Sequence, residues 1–223
     1  HIENGTSRIN LKIRSDVESE INGMGPVIRK EDLELLYEQL DTLKDDDVLV
    51  LAGSIPSGMP QSIYRDIMSR LQSKRIKIAV DATKDLLMNV LAYHPFVIKP
   101  NNHELSEIFD IMIDSKEKAV VYAKELQKKG AQNVIVSMAG EGAVFVGSDG
   151  SVFTSEAPHG VVKNSVGAGD SMVAGFLAGY LAKGDYAEAF KMGLCTGSAS
   201  AFSDQLATRE EVEQVRRSHI FDF

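Results

Sequence analysis

One cysteine in 223 residues, Cys195, leaves no partner for an internal disulfide. Nor does any apolar run approach the ~18 residues of a membrane span or the shape of a signal peptide, so the expected setting is reducing and cytoplasmic. Runs of basic residues are missing too, and 24 Lys+Arg against 32 Asp+Glu give a net charge of −8, which repels nucleic acid and anionic lipid. No G-x-x-x-x-G-K-[ST] string occurs, which excludes a Walker-type nucleotide site. The five histidines never fall at zinc-ligand spacing, and His94, His103 and His159 read as surface or loop residues.

What is present is 43% hydrophobic, enough for a core that buries roughly 70% of the unfolded surface in one large domain. Four short apolar runs, Val48 to Ala52, Ile76 to Val80, Phe96 to Ile98 and Asn133 to Ser137, alternate with helical periodicity in "KEDLELLYEQLDTL" and "PQSIYRDIMSRLQ". Strand alternating with helix predicts an α/β fold with a parallel sheet wrapped by helices. The loops that end those runs, "GSIPSG", "DATKD", "KPNNHE" and "MAGEG", should then converge at the carboxyl edge of the sheet, where ligands of open α/β sheets gather. A hairpin about "GSDG" follows, and then two closing helices. The first runs from Asp170 to Leu181 and stops at Gly184, and the second starts with a capping box of Asp185 and Glu188. Near the amino end, Arg8, Asn10, Lys12 and Arg14 alternate with Ile9, Leu11 and Ile13, the pattern of a half-exposed strand with a strongly polar face. The opening "HIENGTS" lacks an initiator Met, and the expectation is that an N-terminal portion is missing.

Three stretches carry chemistry. "NSVGAGDSMVAGF", Asn164 to Phe176, sets Gly167, Ala168 and Gly169 before a helix, so bare backbone N–H groups and the positive end of the helix dipole can meet an anion, with Asp170 beside them. The plain alternative is that Asp170 only caps the helix. "KPNNHE" puts Asn101 and Glu104 three apart at a strand-to-helix junction, where both can face Mg²⁺ or its waters, or can simply form an N-cap. "SMAGEG", Ser137 to Gly142, offers a hydroxyl and two glycines for close approach to phosphates, with a hairpin turn as the alternative. "GLCTG" around Cys195 mimics a nucleophile elbow but lies in a helical run of small residues, so it reads as close packing.

Taken together, these motifs in this order resemble the ribokinase-like (PfkB) sugar kinases over Thr6 to about Ser203. The resemblance implies a three-layer sandwich with a mainly parallel central sheet flanked by helices and a small β lid, in a single domain over 1–223 with residues 6–26 as part of the lid. It implies ATP and Mg²⁺ as cofactors. Asp170 becomes the catalytic base, with Gly167, Ala168 and Gly169 stabilising the transferring phosphoryl group. Asn101 and Glu104 organise the metal; Lys99, Ser137, Met138, Ala139, Gly140, Glu141, Gly142 and Ser198 line the nucleotide site. The segment "TSRINLKIRSDVESEINGMGP" resembles the lid of the 1-phosphofructokinase subfamily. That similarity implies conversion of fructose 1-phosphate to fructose 1,6-bisphosphate, with Arg8 on the sugar phosphate, Ser54 on the sugar side, and Lys12 and Asn22 as further contacts. Relatives dimerise through the lid, which implies a homodimer here. They also begin with a sugar-binding N-P-S-x-D segment and a G-G-x-G loop, neither of which precedes His1. Tagatose-6-phosphate kinase and 6-phosphofructokinase activities are the nearest rivals. A non-catalytic nucleotide- or phosphosugar-binding relative is the rival of another class, and Asp170 argues against it, because a pure binder has no use for a positioned base.

Overall fold

The computed structural model describes residues 2, 5–13, 19–56 and 58–223. The side chains of Lys12 and Glu20, and all of Arg14, lie outside the described part. In chain order the elements are β1 Asn10–Ile13, β2 Ser19–Asn22, α1 Lys30–Asp41, β3 Val48–Ala52, α2 Ile63–Leu71, β4 Lys77–Asp81, α3 Lys84–Met88, β5 Val97–Ile98, α4 Asn102–Phe109, α5 Lys116–Lys128, β6 Asn133–Ser137, β7 Ala143–Val146, β8 Val152–Ser155, α6 Ala168–Lys183, α7 Tyr186–Phe202 and α8 Arg209–Ser218.

Six strands form one sheet in the order β3-β4-β5-β6-β7-β8, and β1 pairs with β2 in a separate antiparallel ribbon. The β3 to β6 pairings are parallel, each strand joined to the next through helices, and β7 and β8 add an antiparallel edge. Because side chains alternate along a strand, the two faces of the sheet hold separate cores. Ile78, Val80, Val134, Val136, Val144 and Val146 pack with α2, α4 and α5 on one face. Ala79, Ile135, Ala143 and Phe145 pack with α6 and α7 on the other. Helices on both faces of a mainly parallel sheet make the expected three-layer arrangement.

α6 and α7 lie unusually close because glycines remove the side chains between them. A Cβ on Gly175 would stand 2.5 Å from Thr196 Oγ1 and 2.7 Å from the Met192 carbonyl oxygen, and one on Gly193 would stand 2.9 Å from the Met172 carbonyl. Cys195, in "GLCTG", is fully buried in this helix pair, and burial pushes its thiol up to about 12, so it is packing material and not a nucleophile.

Three expectations are corrected. A third closing helix, α8, follows the two read from the sequence; its signal was "TREE", since Thr208 and Glu211 cap each other reciprocally. The Asp185 box is only half formed: Asp185 accepts from the Glu188 N–H, but the Glu188 carboxylate turns to Lys183 and Arg216 instead. The β1 strand, read as half-exposed, leaves its apolar residues bare in the single chain: Leu11, Ile13, the preceding Ile9 and, from β2, Ile21 are all exposed.

Candidate active site

The carboxyl ends of β3, β4, β5 and β6 do converge. The Gly53 N–H donates to the Asp81 carbonyl (3.1 Å), Lys99 reaches from the end of β5 to Asp81, and Asn101 bridges to Ser137. Val50, Ala52, Gly53, Asp81, Asp170, Val173 and Ala174 line a cleft of about 380 Å³, with the two carboxylates set among apolar walls.

Asp81 is the residue that the sequence reading passed over. It is the charge that follows the apolar Ile78, Ala79 and Val80 at the end of β4, at the ligand edge of the sheet, and that was the available signal. Its carboxyl stands 3.2 Å from the ammonium of Lys99, whose side chain is only 7% exposed. Burial raises the pKa of Asp81, Lys99 opposes that rise, and the neighbouring Asp170 charge adds to it. A buried lysine needs a counter-charge, and Asp81 supplies it.

The same ammonium lies under the start of α6. A Cβ on Gly169 would stand 3.2 Å from Lys99 Nζ, so the bare backbone here suits the close approach of the ammonium. Gly167 is the N-cap, with φ 80°, a left-handed conformation that favours glycine. Asp170 is therefore in the first turn and is not the cap, which corrects the plain reading of that residue. The Ala168 N–H bonds to the Ser165 carbonyl, while those of Gly169 and Asp170 have no helical carbonyl a turn behind them. Among the described residues these two donors have no partner, and donors of this kind at a dipole end beside an ammonium are groups to which multivalent anions such as polyphosphates bind.

Asn101 caps α4 in a full capping box with Glu104: the Glu104 N–H donates to Asn101 Oδ1 and the Asn101 N–H to Glu104 Oε2, both at 2.8 Å. Burial raises the pKa of Glu104, with Lys99 and Asp81 among the charges it feels, so it belongs to the same electrostatic group. The box occupies one carboxylate oxygen and leaves the other. Among the described residues no cluster of three His, Cys, Asp or Glu could hold a metal ion. One or two carboxylates completed by water and phosphate oxygens suit Mg²⁺, which seldom takes an all-protein cage, so the donor set fits that ion.

Other candidates are placed less pointedly. The Ser137 N–H donates to the Pro100 carbonyl, and Met138 is buried in the core. Ala139, Gly140 and Glu141 form a short 3₁₀ turn linking the antiparallel strands β6 and β7, the hairpin alternative. Gly142, with φ 90°, is required there by the carbonyl of Ser155, while the open side of Gly140 faces nothing. Ser198 is half-buried on α7, next to Gly197, which meets the carbonyl of Ala168 at the start of α6. On the ribbon, Arg8 donates to Ser54 Oγ (2.6 Å) and Asn10 Oδ1 (2.8 Å), which ties the lid to the loop beside the cleft. Asn22 stands opposite Asn10 in the β1–β2 register. The Lys12 side chain lies outside the described residues.

A family model described as "pfkB family carbohydrate kinase" matches residues 2–211. The chain belongs to that family. This pfkB chain is 44% identical to the 1-phosphofructokinase of Bacillus subtilis (strain 168), over 95% of its own length and 69% of that protein. It is 30% identical to the D-tagatose-1-phosphate kinase of Bacillus licheniformis, covering 94% of itself and 69% of that kinase. Phosphofructokinase-2 from Escherichia coli, solved in complex with substrates and products, superposes with a TM-score of 0.85 at 25% identity, over 93% of this chain and 69% of that one; it has also been solved in a tetrameric inhibited form. No described helix is long and apolar enough to cross a membrane.

The Lys99–Asp81 pair yields a stability test. Stripping a buried charge of its partner costs about 3–5 kcal/mol, and because Asp81 keeps 19% side-chain exposure, Lys99→Met should cost about 3 kcal/mol at pH 8. Without the ammonium the folded-state pKa of Asp81 rises further. The variant then gains stability from binding a proton at low pH and loses it as pH rises through that elevated value. Urea midpoints at pH 5 and pH 8 should show the smaller deficit at pH 5; an equal deficit at both would refute the pairing.

Proposed function

We propose that this chain carries the catalytic site of an ATP-dependent sugar-phosphate kinase that converts fructose 1-phosphate to fructose 1,6-bisphosphate. The observation behind the reading is the placement of Asp170: in the first turn of α6, not needed as its cap, facing the cleft beside two free N–H donors and the Lys99 ammonium. The 44% identity to a 1-phosphofructokinase supports the choice of acceptor. A second reading, a D-tagatose 1-phosphate acceptor, is favoured by the relative at 30% identity. It takes the place of the tagatose 6-phosphate rival, and both acceptors are ketohexose 1-phosphates.

In this reading Gly167, Ala168 and Gly169 offer backbone to the transferring phosphoryl group, and Lys99 neutralises phosphate charge at their side. Asp170 accepts the proton of the attacking sugar hydroxyl. Mg²⁺, held through Asn101 and Glu104 with Asp81 within the same electrostatic group, would supply further neutralisation of the phosphates. Ser137 to Gly142 and Ser198 would border the nucleotide. Arg8, already at Ser54 and on the rim of the cleft, would take the phosphate that the sugar brings, with Asn22 and Lys12 as further contacts. The bare apolar face of the β1–β2 ribbon supports a homodimer through the lid, since exposed edges and apolar faces invite pairing with a second copy.

Asp170→Asn tests the mechanism. Asparagine retains the shape and gives up the base, so kcat should fall by about 10²- to 10⁴-fold, or about 3–5 kcal/mol. The lost interaction of a first-turn carboxylate with the helix dipole is worth only about 0.3–1 kcal/mol, so melting temperature and ATP affinity should stay near wild type. Near-normal kcat in the folded variant would sink the mechanism. Arg8→Ala should raise the KM for the phosphosugar with little effect on ATP, because it removes a charge-assisted contact far from the transferred group; an unchanged sugar KM would remove Arg8 from the site. Light scattering of the intact enzyme at micromolar concentration should give a dimeric mass, and a monomeric mass would contradict assembly through the lid.

A further inference from the structure

Six polar side chains are buried among the described residues, and three of them, Lys99, Ser171 and Ser200, meet the first turns of α6. Lys99 is accounted for by the anion site. The two serines are not. Ser171, the residue after Asp170, is 8% exposed, and Ser200, on α7, is 2% exposed. Ser200 Oγ donates to Ser171 Oγ at 2.9 Å and accepts from the Ala207 N–H at 3.1 Å. A chain of hydrogen bonds therefore runs from the α7–α8 loop, through α7, to the residue bonded to Asp170. The Ser171 N–H also donates to the Gly167 carbonyl, so backbone and side chain of Ser171 are both held.

Two further contacts fall on the same turn. Leu206, from the α7–α8 loop, fills the space a Cβ on Gly167 would enter, at 2.8 Å, and Gly197 lets α7 approach to where its Cβ would lie 3.0 Å from the Ala168 carbonyl. Hydroxyls in such a place are a poor source of stability, because a buried hydrogen bond nets only about 1 kcal/mol against its desolvation. What a directed bond adds over apolar packing is a defined register, since the two hydroxyls meet in one arrangement and a smooth apolar contact can slide.

We propose that Ser171 and Ser200 are positioning residues: their hydroxyl bond, backed by the α7–α8 loop, holds the Gly167–Asp170 turn so that its free N–H donors and the Asp170 carboxylate face the cleft together. The inference rests on the reading of Asp170 as the base. It also makes the α7–α8 loop, which contributes no catalytic group, a determinant of turnover.

The test compares Ser171→Ala, Ser200→Ala and the double variant in the intact enzyme. A small misplacement of reacting groups is costly, so each single change should lower kcat by about tenfold while the sugar KM stays within about twofold. The double variant should be no slower than the slower single, because one bond is lost in every case. A second readout does not need turnover: in protein labelled with ¹⁵N-glycine, the Gly169 amide signal should move in Ser200→Ala while that of Gly184, at the far end of α6, stays in place. If the wild-type enzyme phosphorylates no ketose phosphate, the proposed function fails and the Gly169 signal alone decides this inference. Single variants that melt earlier yet keep wild-type kcat, or a Gly169 signal that does not move, would overturn it.

Discussion

A lysine ammonium inside a protein must be matched by a counter-charge and kept close to it, and the Lys99–Asp81 pair imposes that requirement on everything near it. β4 and β5 must lie side by side in parallel with their ends level, so that one supplies the carboxylate and the other the ammonium. Gly169, in the first turn of α6, leaves room for the ammonium, since a Cβ there would stand 3.2 Å from Lys99 Nζ. With those conditions met, the ammonium stands at the mouth of the sheet with Asp81 on one side and the helix terminus on the other.

Acidic groups gather around that centre, and the structure gives them different work. Asp81 is spent on Lys99. Glu104 gives one oxygen to the Asn101 backbone and keeps the other. Asp170 makes neither kind of contact and lines the cleft. Burial disfavours ionisation of Asp81 and Glu104, which a cation entering with its phosphates would reverse. In the capping box of Asn101 and Glu104, the bonds that start α4 also set the orientation of the remaining carboxylate oxygen.

The position of α6 is decided from its far side. Gly175, Gly179, Gly193 and Gly197 allow α6 and α7 to touch through backbone, so α6 has little freedom to slide. That rigidity matters because its first turn presents the donors and Asp170 to the cleft together, and a shift of a fraction of an ångström would move them all relative to the strand ends that carry Lys99 and Asp81.

Much of this was legible in the residues. The four apolar runs became β3 to β6, the "GSDG" turn joined β7 to β8, and α6 stopped at Gly184, because periodicity, turn chemistry and C-capping glycine are local signals. Glycines before an acid at a helix start pointed to an anion site for a reason that needs no knowledge of the rest of the chain. Other features depend on residues distant in sequence. Asp81 stands in the sequence only as a charge at a strand end, and its pairing with a buried lysine appears once Lys99 is seen 3.2 Å away. Gly142, proposed in the nucleotide loop, has in addition a packing reason in the Ser155 carbonyl that its sequence neighbours do not show. Ser171 and Ser200, 29 residues apart, are unremarked small polar residues until two helices bring their hydroxyls together. The sequence by itself determined which segments are strands and helices and which residue types stand at their ends, since those follow from interactions within a turn or two. Only the tertiary structure decided which ends meet, which charge is consumed by a partner and which is left for chemistry, because electrostatic and hydrogen-bond partners depend on distance in space.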